Sequence, residues 1–454
     1  MNSLERRATG ALAAVYALRM FGLFALVPVL APHAATLPGA TPLLLGLAVG
    51  AYGLTQALLQ IPFGALSDRL GRRPVITFGL LVFAAGSLLT GAADSAPMLV
   101  AGRALQGAGA VAATLMALLA DHTREQQRTR AMAIVGMSIG AAYLVALPAG
   151  PALATLLGVD GLLYLIAALA LAALVLLWAT VPAPAARLRH ADTQARPREI
   201  AALLRRPELL RLDLSVLALH ALMTAVFVAL PLELAAQGVG AGAQARLYLP
   251  VVLLSVLPMF PLILLAERGG RMREVFLGCV LLLGLAQGGL LLAGHTLLVV
   301  GAGLLAFFVA FNVLEAVLPS LISRLAPVAH KGSALGAYST SQFLGAFLGG
   351  VLGGTVHGWG GLAAVLAVNA LIVALWLPAV WRVQAPTHLR TRSVTVGPVS
   401  AAAAPALASQ LLGLRGVTEA EIVAAEGVAY LKVDARQFDP AVLDAYLRER
   451  PAAG

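Results

Sequence analysis

The sequence predicts an all-α membrane protein of twelve spans with a small α+β domain at its C-terminus. Three observations carry that expectation. Of the 454 residues, 60% are hydrophobic and 11% charged, against roughly 25% charged in ordinary soluble domains. Apolar runs of about 20 residues, the length that crosses a bilayer as a helix, recur along most of the chain. Beyond Trp381 the pattern changes to short alternating strands and amphipathic helices.

Taking the runs in order, with charge, Pro or Gly clusters as boundaries, places helices at about 8–30, 41–65, 74–93, 96–120, 129–157, 160–181, 209–236, 243–266, 273–293, 296–323, 331–356 and 360–382. The organisation expected is a six-helix half at 1–181, an arginine- and proline-rich linker at 182–207, a second six-helix half at 208–382, a short linker at 383–389 and a tail domain at 390–454. In the tail, Ser393 to Val396 reads as a strand and Ala401 to Leu412 as a helix. Val417 to Ala424 and Val428 to Asp434 read as strands around a turn at Glu426 and Gly427, and Pro440 to Arg448 as a second helix. That β-α-β-β-α order is ferredoxin-like.

The net charge of +10 needs no nucleic acid to explain it. Arg6 and Arg7, Arg69 to Arg73, Arg124 to Arg130, Arg187 to Arg211, Arg268 to Arg273, and Arg324 with Lys331 fall in alternate loops, while the intervening loops offer Arg246 alone. Positive charge marks the cytoplasmic side, so both termini are expected there. The apolar stretch after Arg7 runs on without a small-residue cleavage site, which reads as an uncleaved first helix. A single cysteine, Cys279, inside an apolar run excludes a disulfide framework or a cysteine metal cluster. No metal spacing, nucleotide loop or nucleophile-base pair stands out, so neither enzyme chemistry nor a cofactor is expected.

One charged cluster between apolar runs is specific. Gly64 to Pro74 reads GALSDRLGRRP, with Gly64, Asp68, Arg69, Gly71, Arg72 and Arg73 at fixed offsets, and it is expected to form a tight turn at a membrane face. A partial copy, ERGGRMR, starts at Glu267 and repeats acid, Arg, x, Gly, Arg. The cluster resembles the signature G-x-x-x-D-R-x-G-R-[KR] of the major facilitator superfamily, whose members are built from two similar six-helix halves. The twelve-helix major facilitator fold is therefore what the resemblance implies for the membrane part. Phe308 to Ser323, Lys331 to Gly345, Gly102 to Ala110 and the tail domain together resemble the YajR group of bacterial inner-membrane major facilitators.

The resemblance implies a proton-driven exporter of drug-like or amphipathic compounds in the inner membrane. It also implies that Asp68 faces the N-terminal end of the eleventh helix, near Lys331 and Gly332, where a helix carries partial positive charge. This contact would latch the halves together, with Arg72 reaching Asp121. The same resemblance associates Arg103, in GRALQG, with proton coupling. Gly140 and Gly150-Pro151 match an antiporter signature in part, although Ala154 and Thr155 stand where a glycine pair is expected. The tail resembles metal-binding modules in fold, but it has no cysteine, and a metal-thiolate role is not supported.

Ionisable groups inside a span are costly and need a reason. Apart from helix ends these are Arg19, Arg103, His220 and Glu315, in the first, fourth, seventh and tenth helices, which in the facilitator fold line the central cavity. Glu315, flanked by Val313, Leu314 and Val317, is expected to lie deep, to interact with Arg19 or Arg103, and to exchange the coupling proton. Phe308, Phe311 and Asn312 share its helix face, and Phe227 shares that of His220 and Thr224. Phe24, Tyr52, Gln56, Tyr338 and Gln342 complete an expected cavity lining of aromatic and amide groups, suited to an amphipathic substrate. Helical spacing alone equally allows these aromatics to be helix-helix packing. The expected partners are a small molecule, protons and the bilayer. A symporter or uniporter for a polar nutrient, and a membrane sensor signalling through the tail, are the competing readings.

Overall fold

The computed structural model describes residues 1–181, 197–293, 296–327, 330–383, 389–397, 399–400, 402–424 and 427–449. Ten helical stretches among them are long and apolar enough to cross a membrane. Two of these are double spans. Helix α7 (Glu125–Thr180) has 56 residues and α13 (Lys331–Trp381) has 51, far more than one crossing requires. Each folds back at glycine: Gly158 (φ 73°) in α7 and Gly360-Gly361 (φ 62° at Gly361) in α13, conformations that a Cβ disfavours. Twelve crossings result.

The first half comprises α1 (Ser3–Leu26), α2 (Leu30–Ala35), α3 (Pro42–Leu70), α4 (Arg72–Gly91), α5 (Ala96–Ala108), α6 (Ala112–Asp121) and α7. Asn2 and Glu5 close a reciprocal capping box on α1. That helix ends at Leu26 and not near residue 30, because Pro28 interrupts it. The charged stretch from Gly64 is also more helical than expected. Helix α3 continues through Asp68 and Arg69 to Leu70, and Gly71 alone (φ 101°) makes the turn into α4. The fourth span is split into α5 and α6, with Gly109 between them pressed against α4 at Gly79 and Phe83.

A short helix, α8 (Pro197–Leu203), stands in the linker where no element was expected; 182–196 lies outside the described residues. The second half comprises α9 (Pro207–Ala236), α10 (Ala241–Glu267), α11 (Met272–Ala293), α12 (Leu297–Leu325) and α13. Where the halves meet, α3 and the first arm of α13 pack backbone to backbone. Gly46 lies against Gly350 and Gly354, Gly50 against Phe347 and Gly350, and Gly53 against Phe343. Side chains there would collide with the facing backbone, so small residues set the approach. Gly354 also abuts Pro42, the start of α3, so this seam reaches the end of the bundle opposite the tail domain.

The tail is a three-stranded antiparallel sheet, β1 (Leu389–Thr395), β2 (Val417–Val423) and β3 (Val428–Asp434), in the order β1-β3-β2, with α14 (Ala404–Leu412) and α15 (Pro440–Glu449). Strand β1 begins inside the expected 383–389 linker and not at Ser393, because Leu389 pairs with Asp434 and extends the ladder. The expected turn at Glu426 lies outside the described residues. Ala429, Leu431 and Val433 of β3 join Leu407, Leu411 and Leu443 in a core. The alternate residues Tyr430 and Lys432 point the other way, since side chains alternate along a strand. They meet the membrane part. Tyr430 Oη accepts from Arg128 Nη1 (3.2 Å) at the start of α7, and Lys432 Nζ donates to the Ala326 carbonyl (2.8 Å) just past α12.

Candidate functional site

Two polar constellations face the middle of the bundle, one in each half. In the first, Arg19 of α1 is 1% exposed. Its Nη2 donates to Tyr52 Oη (2.7 Å), Gln56 Oε1 (2.8 Å) and the Gly109 carbonyl (3.3 Å). The break between α5 and α6 frees that carbonyl from the helix ladder. Arg103 Nε donates to the Ala48 carbonyl (3.1 Å), Nη1 bonds Gln106 Oε1, and Gln106 Nε2 donates to Ser87 Oγ (2.8 Å). The Tyr52 ring lies 6.0 Å from the Arg19 guanidinium and 5.2 Å from that of Arg103, within cation-π range. Among the described residues neither arginine pairs with a carboxylate.

In the second constellation, Gln342 of α13 donates from Nε2 to Glu315 Oε1 (2.8 Å), with His220 Nε2 at 2.9 Å from the same nitrogen. His220 Nδ1 lies 3.1 Å from the Val216 carbonyl. That carbonyl can only accept, so Nδ1 carries the proton and Nε2 is the acceptor of a neutral ring, a tautomer assigned from the hydrogen bonds. Glu315 Oε2 is 3.6 Å from His220 Nε2 and has no hydrogen-bond partner among the described residues.

Glu315 stands in the interior of α12, its side chain 37% exposed although Oε2 itself is buried, while Val313, Leu314 and Val317 turn into the core. One expectation is corrected: neither Arg19 nor Arg103 pairs with it, because both are held inside the first half by neutral acceptors.

The expected cavity lining is corrected too. Tyr52 and Gln56 are buried as partners of Arg19. Phe227 packs between Tyr248 and Phe308 at 5.8 Å from each, and both phenylalanines are fully buried. Phe311 packs on His220 (5.5 Å), and Asn312 donates to Ser255 Oγ (2.9 Å). Tyr338 is buried as well. A shared helix face brings a side chain to whichever neighbour packs there, so the 3.6-residue period cannot separate cavity from interface. Phe24 and Gln342 keep partial exposure beside Glu315. Tyr143, which sequence reasoning passed over, is buried and packs against this group. It reaches from α7 in the first half to Phe24 (5.0 Å), Phe308 (6.3 Å) and Phe311 (6.2 Å).

At the tail side, Asp68 ion-pairs with Arg72, whose Nε lies 3.3 Å from Asp121 Oδ2 and whose Nη1 donates to Ser67 Oγ (2.6 Å). Glu199 of α8 brings a carboxylate to the start of α13, accepting from Ser333 Oγ (2.6 Å) and lying 3.3 Å from His330 Nδ1. Arg69 occupies the last turn of α3. The partial sequence copy has a structural counterpart that the letters did not reveal. Arg73 stacks on Trp178 (4.2 Å) and donates to its carbonyl, and Arg273 does the same with Trp381 (5.1 Å). Each pair ties the turn of its half to the end of that half's last span.

Comparison with known proteins agrees with this architecture. The family model described as Major Facilitator Superfamily matches residues 12–264 and 225–417. The inner membrane transport protein YajR of Escherichia coli strain K12 is 40% identical over 436 residues, 96% of each chain. Multidrug resistance protein D of the same organism is 36% identical over 100 residues, 22% of this chain and 25% of its own. Among solved structures, a bacterial homolog of the human lysosomal transporter Spinster, in an inward-facing and occupied conformation, superposes with a TM-score of 0.69 at 15% identity. It covers 84% of this chain and 97% of its own.

Proposed function

The chain belongs to the major facilitator superfamily, a family of membrane transporters and not enzymes, and on that footing we propose that it is a proton-coupled antiporter that exports amphipathic, drug-like molecules across the inner membrane. Both termini and the tail lie in the cytoplasm in this reading, following the distribution of arginine by loop. The inner membrane is the location named for the YajR relative, and export of drug-like compounds is in keeping with the name of the multidrug resistance relative.

One observation carries the proposal. The first half holds two buried cations on neutral acceptors, whereas the second presents a half-exposed carboxylate, Glu315, to the space between them. Unlike charges on two bodies that rock against each other attract across that space, and the attraction weakens when Glu315 takes a proton. Proton affinity and conformation are then linked, because a ligand moves an equilibrium only through unequal affinity for its two states. The α3–α13 seam is packed from Pro42 and Gly354 as far as the Gln60–Thr340 hydrogen bond (2.8 Å), which in this reading closes the outer side of the site. An amphipathic molecule would lie against Phe24 with its polar end toward Glu315 and Gln342. These offer few fixed hydrogen bonds, which suits such a molecule better than a sugar.

At the cytoplasmic end, the Asp68-Arg72-Asp121 cluster shapes the turn that meets the start of α13 when that side closes. Glu199 holds the same helix end in the present state.

The test is flux of the lipophilic cation ethidium in vesicles containing the full chain, with and without an imposed pH gradient. Glu315→Gln, equal in size but unable to titrate, is expected to abolish uphill, pH-driven accumulation while downhill exchange continues. Undiminished pH-driven accumulation would remove Glu315 from the coupling step.

A further inference from the structure

The last span of each half ends under two arginines that come from other spans of the same half. In the first half, Arg73 donates from Nη2 to the Trp178 carbonyl (3.3 Å), and Arg7 donates from Nη2 to the next carbonyl, that of Ala179 (3.3 Å). In the second, Arg273 donates to the Trp381 carbonyl (2.8 Å) and Arg211 to the next one, that of Arg382 (3.2 Å). The sources correspond: Arg7 and Arg211 come from the first helix of their halves, α1 and α9, and Arg73 and Arg273 from the third span, α4 and α11. Consecutive carbonyls lie within one helical turn, so each pair of guanidiniums gathers at one helix end on the tail side.

Cations cap the last carbonyls of a helix well, and that explains one donor from each arginine. It leaves the charge unanswered. Each guanidinium keeps most of its donors, and none of the four forms an ion pair with a described residue. Other arginines on this side are matched: Arg72 by Asp68 and Asp121, Arg124 by Glu5, Arg324 by Glu267. Arg7 and Arg273 are exposed, and Arg73 and Arg211 half-buried. Both tryptophans are more than half exposed while stacked on their arginines, as residues of the membrane-water interface are. Trp178 Nε1 donates to Thr77 Oγ1 (2.9 Å), which fixes its ring. Deeper in the span, exposed Leu171 and Val175 continue the face of Trp178, and exposed Leu371 and Leu375 lie below Trp381. Charge at the rim thus stands above an open apolar helix face in both halves.

We propose that each half binds one anionic phospholipid of the tail-side leaflet at this place. The remaining N–H groups of Arg7 and Arg73, or of Arg211 and Arg273, take the headgroup phosphate, whose oxygens suit the guanidinium fork. The acyl chains lie along the apolar face below. That face selects a lipid over a free phosphate, and anionic lipids are drawn to clustered basic residues beside a span. A phosphate held by both arginines ties the first, third and sixth spans of its half together, so the lipid stiffens each half as a body and stays clear of the space between them. The first-half site is the tighter one, because Glu208 and Glu274 stand near the arginines of the second.

Native mass spectrometry of the full-length protein in detergent, titrated with phosphatidylglycerol or phosphatidylcholine of identical chains, tests the proposal. Two phosphatidylglycerol molecules are expected to be retained where phosphatidylcholine is not, one more tightly than the other. An arginine beside an anionic surface strengthens association about five-fold, so Arg7→Gln with Arg73→Gln is expected to weaken one site, and Arg211→Gln with Arg273→Gln the other, roughly twenty-five-fold. Phosphatidylglycerol is also expected to raise the melting temperature of the wild type and not that of the variant lacking all four arginines. A capping role alone would lower that variant's melting temperature and leave the lipid-induced rise intact, which overturns the site. Equal retention of the two lipids overturns it as well, and so does displacement of phosphatidylglycerol by an equal concentration of inorganic phosphate, the mark of a free-anion site. Where a double variant is not recovered, Arg7→Gln alone, at an exposed residue making one hydrogen bond, decides the first-half site: phosphatidylglycerol affinity equal to that of the wild type overturns it.

Discussion

The two halves share a fold and a duplicated turn, yet they treat charge in opposite ways. In the middle of the first half the buried ionisable groups are two arginines held by neutral acceptors: Tyr52, Gln56 and the Gly109 carbonyl for Arg19, Gln106 and the Ala48 carbonyl for Arg103. In the middle of the second half stand His220 and two carboxylates, the buried Asp213 and the partly exposed Glu315. Arginine does not lose its proton in proteins, so the first half presents a constant field. On the proposed reading the second half is where charge changes.

The comparison is broken most directly by removing one member from each side. Arg19→Ala removes a buried guanidinium and three of its hydrogen bonds, to Tyr52 Oη, Gln56 Oε1 and the Gly109 carbonyl, and leaves a cavity at the centre of the first half; hydrogen bonds to charged groups contribute about 1.5–3 kcal/mol each. The variant is expected to melt many degrees lower in detergent and to be poorly recovered from membranes. Glu315→Gln, half-exposed and isosteric, is expected to melt within a few degrees of the wild type while losing pH-driven flux. Thermal denaturation of both purified proteins checks the contrast. Equal destabilisation would mean that Glu315 is structural too.

The duplicated turns give a smaller contrast. Asp68 sits with the nearly buried Arg72 in a cluster that includes Asp121, whereas Glu267 pairs with Arg324 (3.0 Å) at an exposed position. Exposed pairs contribute about 0–1 kcal/mol, and hydrogen bonds to charged groups inside a protein about 1.5–3 kcal/mol. Asp68→Asn is therefore expected to lower flux roughly five-fold or more, about the effect of 1 kcal/mol or somewhat above on a balanced equilibrium. Glu267→Gln is expected to change flux by less than about two-fold. Flux measured at matched protein density in vesicles separates them, and equal losses would make the turns functionally equivalent.

How far the sequence carried these conclusions depends on the kind of signal. Spans were legible because bilayer thickness fixes their length, and Gly158 and Gly361 punctuate the two double spans where the apolar runs pause. Arg19, Arg103, His220 and Glu315 stood out because charge inside an apolar run is rare. Asp213 did not: it lies so near the expected start of its helix that it read as an end residue, and the two-turn spacing to His220 was the available clue. Phe227 and Phe308 were misread as cavity residues for the reason that a helix face says nothing about what covers it. Contacts that join distant segments, such as Glu199 on the start of α13 or Arg73 on Trp178, leave no local pattern at all.

The smallest expected effect concerns the tail, which touches both halves through neighbouring residues of one strand. Tyr430 meets Arg128 of the first half, and Lys432, 4% exposed, reaches the Ala326 carbonyl of the second. A strand that bridges two rocking bodies adds a restoring force to whichever arrangement it fits. These contacts are few, however, and Lys432 is also held by Glu419 within the tail (2.9 Å). Lys432→Met removes the bond to Ala326 and leaves the aliphatic packing, a change of about 1–3 kcal/mol at most. It is expected to shift flux by no more than a few-fold. Truncation near Pro386 is expected to leave the twelve spans and measurable transport, since Glu315, Gln342, Tyr338 and the arginines of the first half all precede Trp381. Vesicle flux of the truncated chain beside Lys432→Met decides between two roles. If both rise or fall together, the tail acts through this strand by biasing the rocking equilibrium; if the truncated chain inserts normally and carries no flux, the tail is part of the transport step itself.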